Sequence, residues 1–235
     1  MKSYKTLLFD LDDTLLDFKA AEQEALKSLF SAQGMSLTDK VAARYRLLNK
    51  DLWQSFEEGK ITKEEVIHTR FARLFAEYEK EVDGREMDDD YRKHLERGVQ
   101  FVAGARELVS SLHGRFSLYI VTNGIARTQL KRLHDSGLYP LFDGIFISEE
   151  LKAQKPMNAF FKAVFAEIPS FTPAGTLIIG DSFNADIRGG QAAGIDTCWF
   201  NRHNLPRPGD IQPTYEVREL QELQRLLQDK PGKQN

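Results

Sequence analysis

Four short motifs of acidic, hydroxyl and lysine side chains stand out along the chain, and three of them directly follow an apolar segment. They are residues 10–14 (DLDDT), 122–124 (TNG), 154–156 (QKP) and 180–186 (GDSFNAD). Clustered carboxylates repel one another, so they need a cation in order to stay ionised together. Oxygen ligands without Cys or His favour Mg²⁺ over Zn²⁺. The residue types therefore predict a magnesium site, provided that the fold brings the motifs together.

The same residue types fit the transfer of a phosphoryl group. Mg²⁺ usually binds one or two carboxylates and keeps other positions for water and phosphate oxygens. A lysine and a threonine nearby can hold further phosphate oxygens, and positioning with charge neutralisation does most of the catalysis in phosphoryl transfer. A carboxylate can also attack phosphorus and form an aspartyl-phosphate. A lone Asp-x-Asp motif is weak evidence, because carboxylates at strand ends often only form turns.

The elements that must position these motifs alternate between strands and helices. Continuously apolar segments predict buried parallel strands at residues 5–9, 117–121, 143–147, 176–179 and 196–200. Apolar residues at helical spacing predict helices at residues 103–112, 125–136 and 156–167. This alternation is typical of an α/β fold, a Rossmann-like parallel sheet with helices on both faces. Ligands bind at the carboxyl ends of such strands, so the motifs should meet at one edge of the sheet.

One region interrupts the alternation of strands and helices. Amphipathic patterns predict helices at residues 20–32, 38–57 and 62–82, and Thr62 with Glu65 forms a capping box at the start of the third. The acidic run 88–90 is predicted to be a loop and a helix N-terminus, where negative charge is favourable. The predicted organisation is a discontinuous α/β core, residues 1–17 and 98–235, with a helical domain, residues 18–97, inserted after the first strand.

The four motifs resemble those of the haloacid dehalogenase (HAD) superfamily of phosphohydrolases, and the helical insertion resembles that superfamily's first-position cap, which selects the substrate. The resemblance implies that Asp10 is the nucleophile and that Asp12 is the general acid and base. It also implies that Thr122 hydrogen-bonds the phosphoryl group and that Lys155 neutralises its charge. The sequence departs from the family at Asp13, where many members have Gly, but this position is not a catalytic one.

The same resemblance implies a metal cofactor, Mg²⁺ or alternatively Mn²⁺. Its expected ligands are Asp10, the backbone carbonyl of Asp12 and Asp181, with Asp186 in or just behind that shell.

A narrower resemblance concerns the substrate. Residues 49–53 (NKDLW), 58–62 (EGKIT), 70–71 (RF), 196–199 (DTCW) and 213–215 (PTY) resemble cytoplasmic pyrimidine 5′-nucleotidases that also remove non-canonical nucleotides. It implies that Lys50 and Trp53 contact the substrate, and we expect Asn123 and Gly124, beside Thr122, to do so too. Trp53 also fits a position in the helix core, because its spacing from neighbouring apolar residues is helical.

These observations favour a Mg²⁺-dependent phosphatase of nucleoside 5′-monophosphates, pyrimidine ones in particular, that acts through an aspartyl-phosphate. A phosphatase of sugar phosphates or other small phosphomonoesters has the same chemistry and is the main alternative. A phosphomutase would have to protect the aspartyl-phosphate from water, and nothing in the sequence indicates this. A 2-haloacid dehalogenase has no leaving alkoxide and so no need of Asp12. A non-catalytic phosphate-binding module should have lost one of the motif residues, and none is lost.

Composition narrows the class of protein further. Lys and Arg total 32 and Asp and Glu total 35, which gives a net charge of −3. This charge does not indicate the basic surface that binds a long nucleic acid. The single cysteine, Cys198, fits the reducing cytoplasm. No stretch approaches the ~20 apolar residues of a membrane span, and the apolar run that ends at Phe9 is too short for a signal peptide. We expect a cytoplasmic enzyme of a small phosphomonoester, without a membrane partner and with no oligomer implied.

Overall fold

A computed structural model describes residues 2–228, which divide into two compact units. One unit runs from the N-terminus to Asp17 and resumes at Gln100, and the other is Phe18–Val99. The predicted second boundary lay after residue 97, whereas the two units separate after Val99. We call the first the sheet unit and the second the helical unit.

The helical unit consists of four helices within the described residues. They are α1 (Phe18–Ala32), α2 (Asp39–Glu57), α3 (Lys63–Ala76) and α4 (Gly84–Leu95). The capping box predicted at Thr62 is confirmed, because its hydroxyl accepts from the backbone of Glu65 while the Glu65 carboxylate accepts from the backbone of Thr62. The prediction that the third helix continues to residue 82 is wrong. A separate helix begins after Asp83, whose carboxylate caps α4, and the acidic run 88–90 lies inside α4 rather than at its N-terminus.

The sheet unit contains the predicted parallel α/β sheet. Its strands are β1 (Thr6–Phe9), β2 (Ser117–Thr122), β3 (Gly144–Ile147), β4 (Thr176–Gly180), β5 (Asp196–Phe200) and β6 (Tyr215–Val217). Among the described residues they form one six-stranded sheet in the order β3-β2-β1-β4-β5-β6, and every neighbouring pair is parallel. The three-residue β6 was not predicted. β1 is central, and its last residue, Phe9, pairs with Ile120 on one side and Ile179 on the other.

Burial of both sheet faces explains why the strands are continuously apolar. Successive side chains of a strand point to opposite faces, so Leu7 and Phe9 join one hydrophobic cluster while Leu8 joins another. All three are fully buried, and each fully buried side chain of this size contributes about 1.5–3 kcal/mol. A packed core on each side therefore fixes where β1 ends, and with it the position of the first motif.

The sheet unit also contains six α-helices within the described residues. They are α5 (Ala105–Leu112), α6 (Ala126–Ser136), α7 (Ser148–Leu151), α8 (Asn158–Glu167), α9 (Gly189–Ala192) and α10 (Leu220–Gln228). A π-helical segment, Phe183–Arg188, links β4 to α9. In the part of the chain that the structure describes, no helix has both the length and the apolar character needed to cross a membrane.

Candidate active site

Asp10 is the first residue beyond β1 and lies at the carboxyl edge of the sheet. Its backbone N–H donates to the carbonyl of Ile179 at 2.9 Å, which extends the strand ladder by one bond. Its side chain is held from two directions. Oδ1 accepts from Lys155 Nζ at 2.8 Å, and Oδ2 accepts from the Thr14 hydroxyl at 3.3 Å. The carboxylate is therefore fixed at the centre of the edge.

Lys155 is buried and uses its ammonium group for three acceptors. Nζ donates to Asp10 at 2.8 Å, to the Val121 carbonyl at 2.8 Å and to Asp186 Oδ1 at 2.6 Å. The backbone of Lys155 is held by Asn123, whose side-chain amide donates to the Lys155 carbonyl and accepts from its N–H, both at 2.9 Å. The Lys155–Pro156 peptide bond is cis. The end of β2 thus positions the lysine that stands between two carboxylates.

The segment after β4 supplies two further carboxylates, Asp181 directly after the strand and Asp186 in the π-helical segment. Asp186 is fully buried, and its Oδ2 accepts from the backbone of Ser182 at 3.1 Å. A Cβ added at Gly180 would lie 2.0 Å from that oxygen, so only glycine leaves room for Asp186 there. The backbone of Asp181 is anchored on both sides, because its N–H donates to Thr14 and its carbonyl accepts from the Trp199 indole at 3.0 Å.

Asp10, Asp181 and Asp186 form a cluster with the donor set of a divalent cation site. One carboxylate oxygen from each lies within 4.8 Å of the others. Within residues 2–228, the Lys155 ammonium group pairs with Asp10 and Asp186, and the third carboxylate, that of Asp181, lies beside these two. Burial, with repulsion from Asp186, raises the pKa of Asp10 to about 7 although Lys155 opposes the shift. Burial and the charges of Asp10 and Asp186 also raise the pKa of Asp181. A divalent cation would remove this excess of negative charge, so the residues fit Mg²⁺.

Asp12 lies beside this cluster, and its contacts are different. Its Oδ2 accepts from Gln129 Nε2 at 2.7 Å, and its Oδ1 accepts from Arg132 Nη1. The Gln129 amide also donates to the Thr122 hydroxyl at 2.9 Å, and that hydroxyl accepts from the backbone of Gly124 at 3.1 Å. Helix α6 thus supplies two side chains that join Asp12 to the end of β2.

Residues 7–200 match the family model of the haloacid dehalogenase-like hydrolases. The chain belongs to this family. The resemblance inferred from the four motifs is confirmed, and the α/β core with its parallel sheet is the fold of these hydrolases.

Two bacterial relatives indicate where the chain lies within the HAD-like hydrolases. The pyrimidine 5′-nucleotidase PynA of Streptococcus pneumoniae is 46% identical over 94% of this chain and 93% of its own. The HAD-hydrolase YfnB of Bacillus subtilis is 53% identical over 97% of both chains. A crystal structure of YfnB bound to magnesium superposes with a TM-score of 0.93 and covers 97% of this chain and all of its own.

The sheet unit of this HAD-like hydrolase therefore brings together six of the residues predicted as catalytic or metal-binding. They are Asp10, Asp12, Thr122, Lys155, Asp181 and Asp186. Asn123 and Gly124 lie at the same edge, where their polar groups contact Lys155 and Thr122. Lys50 and Trp53 belong to the helical unit, where Lys50 is exposed and Trp53 is half-buried. Their contact with a substrate stays a prediction.

Sequence reasoning missed Gln129 and Arg132. Both are buried on α6, three residues apart. A polar residue is common on the solvent face of a helix, so its identity alone gives no signal. A signal does exist in their spacing, because Gln129, Arg132 and Leu133 lie on one helix face and Leu133 is a core residue.

Proposed function

We propose that this hydrolase is a Mg²⁺-dependent phosphomonoesterase that acts on nucleoside 5′-monophosphates through an aspartyl-phosphate on Asp10. The observation that carries the chemistry is the buried Lys155 ammonium between Asp10 and Asp186, next to a third carboxylate. It gives a nucleophile held in place and a cationic group beside the phosphorus position.

The choice of a pyrimidine nucleotide is supported by two relatives. PynA and the Escherichia coli protein YjjG, 31% identical over 94% of this chain and 96% of its own, are pyrimidine 5′-nucleotidases.

In the first half of the reaction, a carboxylate oxygen of Asp10 attacks phosphorus and the bond from phosphorus to the nucleoside 5′-oxygen breaks. Asp12 gives its proton to that oxygen, so the nucleoside leaves as an alcohol. Lys155 neutralises charge on the phosphoryl group, and the Thr122 hydroxyl hydrogen-bonds one of its oxygens. This half-reaction ends with phosphate bound covalently to Asp10.

In the second half, water attacks phosphorus and the bond between phosphorus and Asp10 breaks. Asp12, now a carboxylate, takes the proton of the attacking water, which restores both aspartates. The product is inorganic phosphate. Thr14 touches Asp10 and the backbone of Asp181 rather than this reaction path, so it orients the loop after β1.

Mg²⁺ or Mn²⁺, when bound, would neutralise the negative charge of the carboxylates and the phosphate. Asp10, Asp181 and the backbone carbonyl of Asp12 would hold the ion. Asp186 contacts Lys155 and the Ser182 backbone with its two oxygens, so its expected role is to support that set.

We assign the choice of substrate to the helical unit, with Lys50 and Trp53 as the residues that contact it. Asn123 and Gly124 would act at the sheet edge. In this proposal the enzyme is cytoplasmic, and its partner is a small phosphomonoester.

Phosphate release from a panel of phosphomonoesters, with and without Mg²⁺, tests the proposal. The panel contains uridine, thymidine and deoxyuridine monophosphates, purine monophosphates and several sugar phosphates. Selective Mg²⁺-dependent release from the pyrimidine nucleotides is the expected result. Release mainly from sugar phosphates would keep the chemistry and overturn the substrate, whereas no release from any compound by folded, Mg²⁺-supplied protein would overturn both.

A further inference from the structure

We propose that Arg132 is a positioning residue, which together with Gln129 fixes the Asp12 carboxylate in the orientation needed for proton transfer. This inference rests on the proposed function, because it assigns Arg132 a task only if Asp12 is the acid and base. None of the four sequence motifs contains either α6 residue.

The geometry occupies both oxygens of Asp12. Arg132 Nη1 donates to Oδ1, and Gln129 Nε2 donates to Oδ2 at 2.7 Å. Two donors on different oxygens prevent the carboxylate from rotating about its Cβ–Cγ bond. A single donor would leave that rotation open, so the pair sets the direction in which Asp12 presents its lone pairs.

The two α6 side chains also hold each other. Arg132 Nη1 donates to Gln129 Oε1 at 3.2 Å, and the second Nε2 hydrogen of Gln129 goes to Thr122 at 2.9 Å. The Gln129 amide therefore has one orientation that satisfies all three contacts. Gly124 leaves the space for it, because a Cβ at this position would lie 2.4 Å from Gln129 Nε2.

Burial argues that this arrangement serves more than stability. Arg132 is fully buried, and the burial of a guanidinium carries a desolvation cost that an apolar residue would avoid. Its carboxylate partner is not buried to the same extent, since 28% of the Asp12 side chain is exposed while none of the Arg132 side chain is. The Asp12 carboxylate is therefore accessible, while the Arg132 side chain that holds it is buried.

The leaving group separates a positioning role from a structural one. A nucleoside alkoxide needs a proton from Asp12 in order to leave, whereas a 4-nitrophenolate leaves without one. The ratio kcat/KM reports steps only up to departure of the leaving group, so it depends on Asp12 for the nucleotide and not for the aryl ester.

The experiment measures kcat/KM on uridine 5′-monophosphate and on 4-nitrophenyl phosphate for the wild type, Asp12→Asn, Arg132→Met and Lys131→Met. We expect Arg132→Met to lose about 30-fold on the nucleotide, less than the 10²–10⁴-fold that a whole general acid supplies, and less than about 3-fold on the aryl ester. Lys131→Met is the matched control, because it removes one positive charge from the exposed face of α6, where Lys131 pairs with Asp135. It should change neither value.

Equal losses of Arg132→Met on both substrates would overturn the inference, as would an additive loss in the Asp12→Asn/Arg132→Met double variant. If Arg132→Met does not fold, Arg132→Lys, which keeps the charge but not the planar fork, should give a smaller loss with the same selectivity. The outcome for Asp12→Asn separates two failures. A selective loss there without one in the Arg132 variants overturns only this inference, whereas an equal loss in Asp12→Asn overturns the role of Asp12 as well.

Discussion

Each unit of the molecule buries a cation among carboxylates, but the two clusters differ in their balance of charge. In the sheet unit, the Lys155 ammonium faces Asp10 and Asp186, with Asp181 close by. In the helical unit, Arg70 donates from Nε to Asp88 Oδ1 at 2.6 Å and from Nη1 to Asn49 at 3.1 Å.

The helical cluster has enough cations to neutralise its central carboxylate, that of Asp88. Arg92 Nε lies 2.7 Å from the second oxygen of Asp88, and the Arg70 guanidinium lies 4.7 Å from the centre of the Tyr91 ring. Because Arg92 also pairs with Asp89, the two cations of this cluster face two carboxylates. In the sheet cluster, three carboxylates of the described residues lie around the ammonium group of Lys155.

The balance of charge distinguishes the structural cluster of the helical unit from the functional cluster of the sheet unit. A buried ion pair with matched charge mainly loses stability when one partner is removed. A cluster that keeps like charges together is less stable than it could be, and such strain is typical of catalytic sites. Burial, together with the repulsion between these carboxylates, raises the pKa values of Asp10 and Asp181.

The largest expected effect is that of Asp10→Asn on turnover. Without a carboxylate nucleophile, we expect kcat for uridine 5′-monophosphate to fall more than about 10³-fold. In the absence of Mg²⁺, the free energy of unfolding of the variant should rise or stay the same, because the variant removes one of three repelling charges. Phosphate release tests the expected loss of kcat, and thermal unfolding in the presence of a chelator tests the expected stability. A variant that keeps a tenth of the activity would contradict the assignment of the nucleophile.

Asp88→Asn should show the reverse pattern. It leaves the buried Arg70 without a carboxylate partner, while Arg92 keeps Asp89, so we expect the free energy of unfolding to fall by about 3 kcal/mol. Catalysis by the folded enzyme should change little. Urea unfolding can be followed in a Trp199→Phe background, because the chain has two tryptophans and the other, Trp53, lies in the helical unit.

The matched control for this experiment is Asp89→Asn on the same helix. The Asp89 side chain is 51% exposed where it pairs with Arg92, so its loss should cost less than about 1 kcal/mol. An equal loss of stability in both variants would mean that the buried cluster is not what stabilises the helical unit.

Addition of Mg²⁺ probes the unbalanced cluster directly. At about 100 times its dissociation constant, an ion that binds only the folded protein stabilises it by about 2.7 kcal/mol. We expect this gain in the wild type and its loss in Asp181→Asn. Asp196→Asn is the control, because Asp196 begins β5 at the opposite edge of the sheet, where it contacts Lys2. A full Mg²⁺ shift in Asp181→Asn would remove Asp181 from the metal site.

The sheet unit could be predicted largely from its sequence, because its strands are buried on both faces and the motifs follow them directly. The boundary between α3 and α4 could not, since the polar and apolar spacing stays helical through residues 77–82. The contacts that the supporting residues make also could not be predicted. Nothing in the sequence says that Arg132 faces Asp12 across the fold, or that the Asn123 amide is used by the backbone of Lys155.

Trp53→Ala gives the smallest of these effects and asks whether the helical unit has any functional part beside its balanced core. Trp53 packs edge-on against Phe56 at 5.7 Å and lies beside the small cluster of Leu52, Phe56 and Val66, so a purely structural role is a real alternative. Stacking on a base is worth about 1–3 kcal/mol. We therefore expect about a 10-fold loss in kcat/KM on uridine 5′-monophosphate and none on a sugar phosphate, which has no base.

The control for Trp53→Ala is Leu47→Ala, which removes an exposed apolar side chain from the same helix, α2. This control should leave kcat/KM unchanged for both substrates. If Trp53 only packs in the helical unit, its loss lowers the stability of the protein. Any change in kcat/KM is then the same for the nucleotide and the sugar phosphate, because no contact with the base has been lost. Equal losses would then leave base recognition to other residues of the helical unit. A selective loss would mean that the stable, charge-balanced core of that unit supports a substrate contact, while the unbalanced cluster of the sheet unit performs the chemistry.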